Sequence, residues 1–232
     1  MDGSHVGVGA EVGRVAAMWR YPVKSMAADA VSGAEVSWHG LAGDRRWAFV
    51  RPGLERSNFP WLTIRERSDM GSFRPSFVEP ERPDASRTLV QTPDGSQLDV
   101  ADPALAASLG EDVRVIKQNR GVFDALPLSL ISTASIGSLD VRRFRPNLVV
   151  EAPGAFPEDG WVGATLAIGA LRMRVDKRDP RCVLVNVDPD TTERDPSVLR
   201  WIAQQRDACL GVYGSTVSPG RVAVGDPVLL EG

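Results

Sequence analysis

Apolar and polar residues alternate along this chain in short runs, and Gly, Pro and Asp break the runs every few positions. Ala34-Glu35-Val36-Ser37-Trp38 alternates with a period of two, as a half-buried strand does, and Trp47-Ala48-Phe49-Val50 reads as another strand. Val15-Ala16-Ala17-Met18-Trp19 leads into Tyr21-Pro22, where the proline forces an extended or turning path. Thr88–Thr92 and Gln97–Val100 flank Pro93-Asp94-Gly95-Ser96, a sequence that predicts a hairpin from its turn chemistry. Val113–Ile116, Leu128–Ile131 and Leu148–Val150 are further strands, as are Thr165–Ile168 and Leu171–Val175, which turn at Gly169-Ala170. Leu210–Thr216 and Val222–Leu230 are expected to close the chain as a hairpin around Ser218-Pro219-Gly220.

Helical signals are few. Ser132 is set to cap a short helix running towards Leu139. Asp195-Pro196 opens another, with Val198, Leu199 and Ile202 at helical spacing. No strand–helix–strand rhythm appears, so the expectation is a mainly β, barrel-like fold with a few short helices. Residues 1–12 are Gly-rich and aperiodic and read as a loose terminus. Residues 51–87 carry few strand signals beyond Trp61–Ile64 and read as a functional excursion. A boundary between halves is expected near Gln118–Leu126.

Composition narrows the function classes. The 232 residues are 43% hydrophobic and 25% charged, enough to bury a sizeable core. A net charge of -3 argues against a nucleic-acid groove, which needs a concentrated excess of Lys and Arg. Arg142-Arg143-Phe144-Arg145 is a basic spot sized for one phosphorylated small molecule. Two cysteines make no disulfide framework, and with two histidines they support neither a zinc finger nor an all-cysteine iron–sulfur cluster. No apolar stretch approaches the ~20 residues that cross a bilayer. A cytoplasmic protein with reduced thiols, not bound to membranes, is expected.

Four clusters carry candidate chemistry. Cys182, in Arg178-Asp179-Pro180-Arg181-Cys182, reads as a thiolate ligand for a soft metal or as a nucleophile. Cations beside a thiol favour the thiolate, and Arg178 and Arg181 stand on its approach. A buried core cysteine is the alternative, and Cys209 fits that description. Lys24-Ser25 resembles an anion-binding turn. Asp44-Arg45, with Gly40 and Gly43 allowing a tight path, is either an internal ion pair or a phosphate clamp. Arg145-Pro146-Asn147 offers a planar fork for phosphate and an amide for a heterocycle edge. Thr63–Glu66 adds a polar residue to the same pocket or is simply loop. Ser132 and Thr133 are explained by helix capping, although hydroxyls at a helix start also bind phosphate. There is no Ser-His-Asp arrangement, Walker loop or Gly-x-Gly-x-x-Gly fingerprint worth pursuing.

In order, YPVKS, GLAGDRRW, LTIRE, FRPNLVV, EDGWVGATLAIG, RCVLVNVDPDT and LGVY…GRVAVGDPVLL resemble the MOSC family, the molybdenum cofactor sulfurase C-terminal domain proteins, with their N-terminal β-barrel partner. The likeness runs from Arg14 to Leu230 and is nearest in kind to the mitochondrial amidoxime-reducing component and its bacterial relatives. It implies a smaller N-terminal β-barrel domain over 13–122 and a MOSC domain over 123–232. It also implies a molybdenum cofactor held by its pterin phosphate, with Cys182 as metal ligand and catalytic residue. Lys24, Ser25 and Arg45 match the phosphate group, and Arg145 and Asn147 match the second-half contribution. Ser132 and Thr133 are added as cofactor-binding candidates. The implied activity is two-electron reduction of N-hydroxylated or N- or S-oxide small molecules. Electrons would come from a separate ferredoxin- or flavin-type protein, since no iron–sulfur cluster is expected in this chain. The alternative is a sulfur carrier using a Cys182 persulfide, or a protein that binds and delivers the cofactor. Thr192 departs from the Gly that often follows the Asp-Pro-Asp-Thr turn. Neither the ferredoxin-like tail or membrane anchor of longer relatives nor a pyridoxal-phosphate domain is expected.

Overall fold

The structure is a computed structural model that describes residues 9–231. Its strands are β1 (Ala10–Arg20), β2 (Asp29–Val31), β3 (Gly33–Ser37), β4 (Gly40–Leu41), β5 (Trp47–Val50), β6 (Arg74–Phe77), β7 (Thr88–Gln91) and β8 (Gln97–Asp99) in the first part of the chain. There follow β9 (Arg114–Lys117), β10 (Leu128–Ser132), β11 (Leu148–Glu151), β12 (Thr165–Ile168), β13 (Leu171–Pro180), β14 (Cys209–Ser218), β15 (Gly220–Ala223) and β16 (Pro227–Glu231). Three α-helices, α1 (Pro103–Leu109), α2 (Thr133–Ile136) and α3 (Pro196–Arg206), and four short 3-10 helices complete the described elements. The chain is mainly β, as its patterning predicts, and none of its described helices is long and apolar enough to cross a membrane.

Seven strands form a barrel in the order β11-β10-β14-β13-β12-β16-β1, closed by pairing of β1 with β11. Only β10 and β11 run parallel; the other neighbours are antiparallel. Inward residues such as Met18, Leu130, Val150, Leu166, Met173, Val212 and Val228 fill it. On the outer face of β10 and β11, Ile131 and Val149 pack with Val198 and Ile202 of α3. Those two strands are therefore apolar on both faces, and their continuous runs hide the period of two. A separate core under the first part of the chain gathers Val23, Phe49, Met70, Phe73, Val90 and Leu105.

Three expectations change. The aperiodic reading of 1–12 fails at Ala10–Val12, which begin β1, while residues 1–8 lie outside the described residues. The closing hairpin does not form. β14 pairs with β10 and β13, β15 pairs with β3, and β16 pairs with β12 and β1. Ser218-Pro219-Gly220 passes the chain from the barrel to a small sheet, and in the closed barrel β14 and β16 each have both edges occupied by other strands. Within 51–87 the structure adds β6, which pairs with β7, whereas Trp61 contributes only an isolated bridge to Val50. α1 also went unpredicted, although Asp102-Pro103 carries the same start signal as Asp195-Pro196, and Asp102 accepts from the Ala104 N–H.

Candidate functional site

Where the chain leaves β1, it is stitched at once to a segment twenty residues on. The Arg45 N–H donates to the Tyr21 carbonyl at 2.6 Å, and the Lys24 N–H donates to the Trp47 carbonyl at 2.8 Å. Asp44, fully buried, accepts from the Tyr21 N–H at 2.8 Å and from Arg45 Nη1 at 2.5 Å. Arg45 Nη2 then donates to the Arg145 carbonyl at 3.0 Å, and Arg145 Nη1 donates to the Met26 carbonyl at 2.8 Å. Both guanidinium groups lie over the Tyr21 ring, at 4.6 and 4.2 Å from its centroid. Three clusters, the outer two more than a hundred residues apart, thus become one constellation.

Ser25, Arg45 and Arg145 share a further trait. Their φ angles are 68°, 49° and 52°, a left-handed conformation that costs a residue with a Cβ of order 1 kcal/mol or more. Such strain persists only where the surroundings over-determine it, as the hydrogen bonds just described do for Arg45 and Arg145. It turns each of these side chains or its neighbour towards a cleft of about 260 Å³ lined also by Lys24, Arg65, Asp124, Arg181 and Cys182.

Cys182 stands at the end of β13, in extended backbone, before a 3-10 turn over Val183–Asn186. It is half-buried and lines the cleft. Arg181 fixes the segment that carries it. Its Nε donates to the Leu210 carbonyl at 2.7 Å, Nη1 to the Phe144 carbonyl at 2.8 Å, and Nη2 pairs with Asp179 at 2.8 Å. Lys24 Nζ pairs with Asp124 and donates to the Val122 carbonyl at 3.2 Å, and Arg65 reaches Asp124 at 3.3 Å.

The ionisation of these groups follows their burial. Burial pulls Lys24 below its ordinary value, against the opposing pull of Asp124. Burial, aided by the Arg45 charge, brings Arg145 down to about 10, and burial pushes Tyr21 up to about 12. Asp179 is pushed up to about 6 by burial despite Arg181. Burial works against the Arg65 charge too, but Cys182 and Asp124 outweigh it and hold that guanidinium above its usual value. Arg145 Nη2 is buried with no partner in the protein, an unpaired donor of the kind that a bound acceptor accounts for.

The structure therefore brings Lys24, Ser25, Arg45, Arg145, Asn147 and Cys182 to one cleft. Asn147 is there as a strut. Its Oδ1 accepts from the Ser129 N–H at 3.2 Å and its Nδ2 donates to the Trp19 carbonyl at 3.3 Å, so its amide is already engaged by the barrel. Ser132 and Thr133 stay outside. Ser132 is buried and caps α2 through the Ser135 N–H at 3.1 Å, and Thr133 is exposed. Arg178 turns away to Asp159, Asp207 and the Arg206 carbonyl, leaving Arg181 as the cation on the cysteine's approach. Cys209 sits opposite Pro180 in the strand pair, outside the cleft lining. The cleft is also lined by Asp124, which no motif in the sequence singles out, and by Tyr213 and Arg65, visible there only within LGVY and LTIRE.

Residues 12–125 match the MOSC N-terminal beta barrel domain and residues 118–229 match the MOSC domain. The mitochondrial amidoxime-reducing component 1 of Mus musculus is 26% identical in an alignment covering 96% of this chain and 83% of that protein. The mitochondrial amidoxime reducing component 2 of Rattus norvegicus is 38% identical over 45% of this chain and 37% of its own length. Among solved structures, the YUAD protein from Bacillus subtilis superposes with a TM-score of 0.51 over 94% of this chain and 95% of that one, at 11% identity, so the two share a fold. With both of its domains matched in order and a barrel closed by its own N-terminal strand, the chain belongs to the MOSC family.

Proposed function

We propose that the cleft holds a molybdenum cofactor by its phosphate, and that the protein reduces N-hydroxylated or N- or S-oxide small molecules with electrons from a separate ferredoxin- or flavin-type protein. One observation carries this reading: a half-buried thiol and the cations Lys24, Arg65 and Arg145 meet in one cleft, and Arg145 keeps an unpartnered buried donor there. The donor set fits the group. A soft thiolate suits molybdenum, and guanidinium and ammonium groups suit phosphate. Among the described residues no three His, Cys, Asp or Glu side chains gather to hold a metal by themselves. Cys182 would thus be the protein's own ligand, and the pterin would supply others.

When bound, the cofactor supplies the two-electron redox chemistry. This chain's residues bind and orient. Lys24, Arg65 and Arg145 would offset the phosphate charge, Arg45 lines the same cleft while paired with Asp44, and the Tyr21 ring holds Arg45 and Arg145 in register. The Arg181 bonds keep the Cys182 segment rigid, so the thiol's position is set before any ligand arrives. For an N-hydroxylated substrate the net change is N–OH plus two electrons and two protons to N–H plus water.

The reading is tested by metal and pterin analysis of protein purified from a host that makes the cofactor. Near-stoichiometric molybdenum is expected in the wild type. Lys24→Ala and Arg145→Met should lose it at least several-fold while remaining folded. A folded wild type with neither metal nor pterin would favour sulfur transfer through a Cys182 persulfide, which is read as cyanide-labile sulfur after exposure to a cysteine desulfurase.

A further inference from the structure

The charge pattern of the cleft is uneven. Arg45 is neutralised by Asp44 and Arg181 by Asp179, each within 2.8 Å. Arg145 has no carboxylate partner among the described residues. The remaining two cations, Lys24 and Arg65, share a single carboxylate, Asp124. Asp44, in the turn between β4 and β5, and Asp179, in barrel strand β13, are both buried, whereas Asp124 rides on the connection between β9 and β10 and its side chain is 37% exposed. That connection is anchored just before it. The Val122 N–H donates to the Arg45 carbonyl at 2.8 Å, and Gly121 bends the chain at a φ of 80°.

We propose that Asp124 is a tethered anion that competes with a ligand's phosphate for Lys24 and Arg65, and so sets how tightly the cleft holds phosphorylated ligands. The inference rests on the phosphate reading of this cleft. Its physical basis is that two cations facing one carboxylate offer a phosphate less attraction than two cations facing none. The carboxylate also repels a phosphate dianion directly. At a separation of ~6 Å in a water-like dielectric, that repulsion corresponds to about a tenfold change in affinity. Lys24 and Asp124 shift each other in the expected sense. The pairing opposes the fall that burial imposes on Lys24, and it holds Asp124 below its ordinary value although burial pushes the other way. Because Asp124 has solvent on one side, it can yield its place without leaving an unpaired buried charge.

A purely structural Asp124, holding Lys24 in a productive pose, predicts the opposite sign, so the two accounts separate cleanly. The experiment titrates inorganic phosphate into the full chain, purified from a host unable to make the cofactor, at neutral pH and low salt. Binding is followed by phosphorus NMR and fold by thermal melting. Asp124→Asn and Asp124→Ser are both expected to bind phosphate about tenfold more tightly than the wild type, with the gain shrinking as salt is raised. In the Lys24→Ala background Asp124→Asn should still tighten phosphate binding, through the lost repulsion and the freed Arg65, but by less than in the wild type because one of the contested cations is gone. Wild-type binding that Lys24→Ala weakens, but that neither Asp124 variant tightens, would overturn the proposal and leave the phosphate site standing. No phosphate binding in any variant would overturn both.

Discussion

Asp44→Asn isolates the contribution of one buried charge. The carboxylate it removes is wholly shielded from solvent and serves two donors, the Tyr21 N–H at 2.8 Å and Arg45 Nη1 at 2.5 Å. Asparagine keeps an oxygen for the backbone donor but offers the guanidinium no charge. Arg45 would then keep one bond, from Nη2 to the Arg145 carbonyl, in a position where its side chain is only 15% exposed. Leaving one partner of a buried pair unpaired costs about 3–5 kcal/mol, and the residual exposure of Arg45 argues for about 3. For a chain of this size about 1 kcal/mol moves Tm by about 2–4 °C, so a fall of about 6–12 °C is expected by calorimetry at neutral pH. Asp44→Asn with Arg45→Met should recover most of that loss, because the lone charge, rather than the lost bond, dominates the cost. A single variant that melts within about 2 °C of the wild type would refute the reasoning, as would a double variant no better than the single.

Two further outcomes follow from the same geometry. Asp179 titrates near 6 in the folded protein against about 3.9 in an unfolded chain, so the folded state retains a proton across that interval and stability is lost as pH rises from about 4 through 6. Asp179→Asn should therefore give a flatter Tm profile than the wild type over that window, and parallel profiles would remove the assignment. Cys182→Ser should melt close to the wild type and keep some pterin through the phosphate contacts while losing reductase activity; full activity in that variant would exclude Cys182 as the working ligand.

Much of the architecture was legible because its signals are local. The Asp94-Gly95 turn gave its hairpin, and Asp195-Pro196 gave α3, each from chemistry within a few residues. The same logic misjudged Ser218-Pro219-Gly220, since a turn signal says that the chain bends and not which strand receives it. At the site, the residue types around Cys182, Lys24 and Arg145 announced a thiol and anion binders. Asn147 looked like a ligand amide by its neighbours alone, whereas its partners at Ser129 and Trp19 come from strands 18 and 128 residues away.

Taken alone, the sequence determined the fold class, the ordered clusters of the MOSC family and the cysteine at their centre, because each is written in residue type, spacing and short-range periodicity. Tertiary structure alone decided that β1 closes the barrel, that Ser25, Arg45 and Arg145 sit left-handed around one cleft, and that Arg65 and Asp124 face it while Arg178 does not. The reason is physical. Strand pairing and charge pairing act through space across a hundred residues or more, and an arginine in a sequence carries no mark of which carboxylate, carbonyl or ring will meet it.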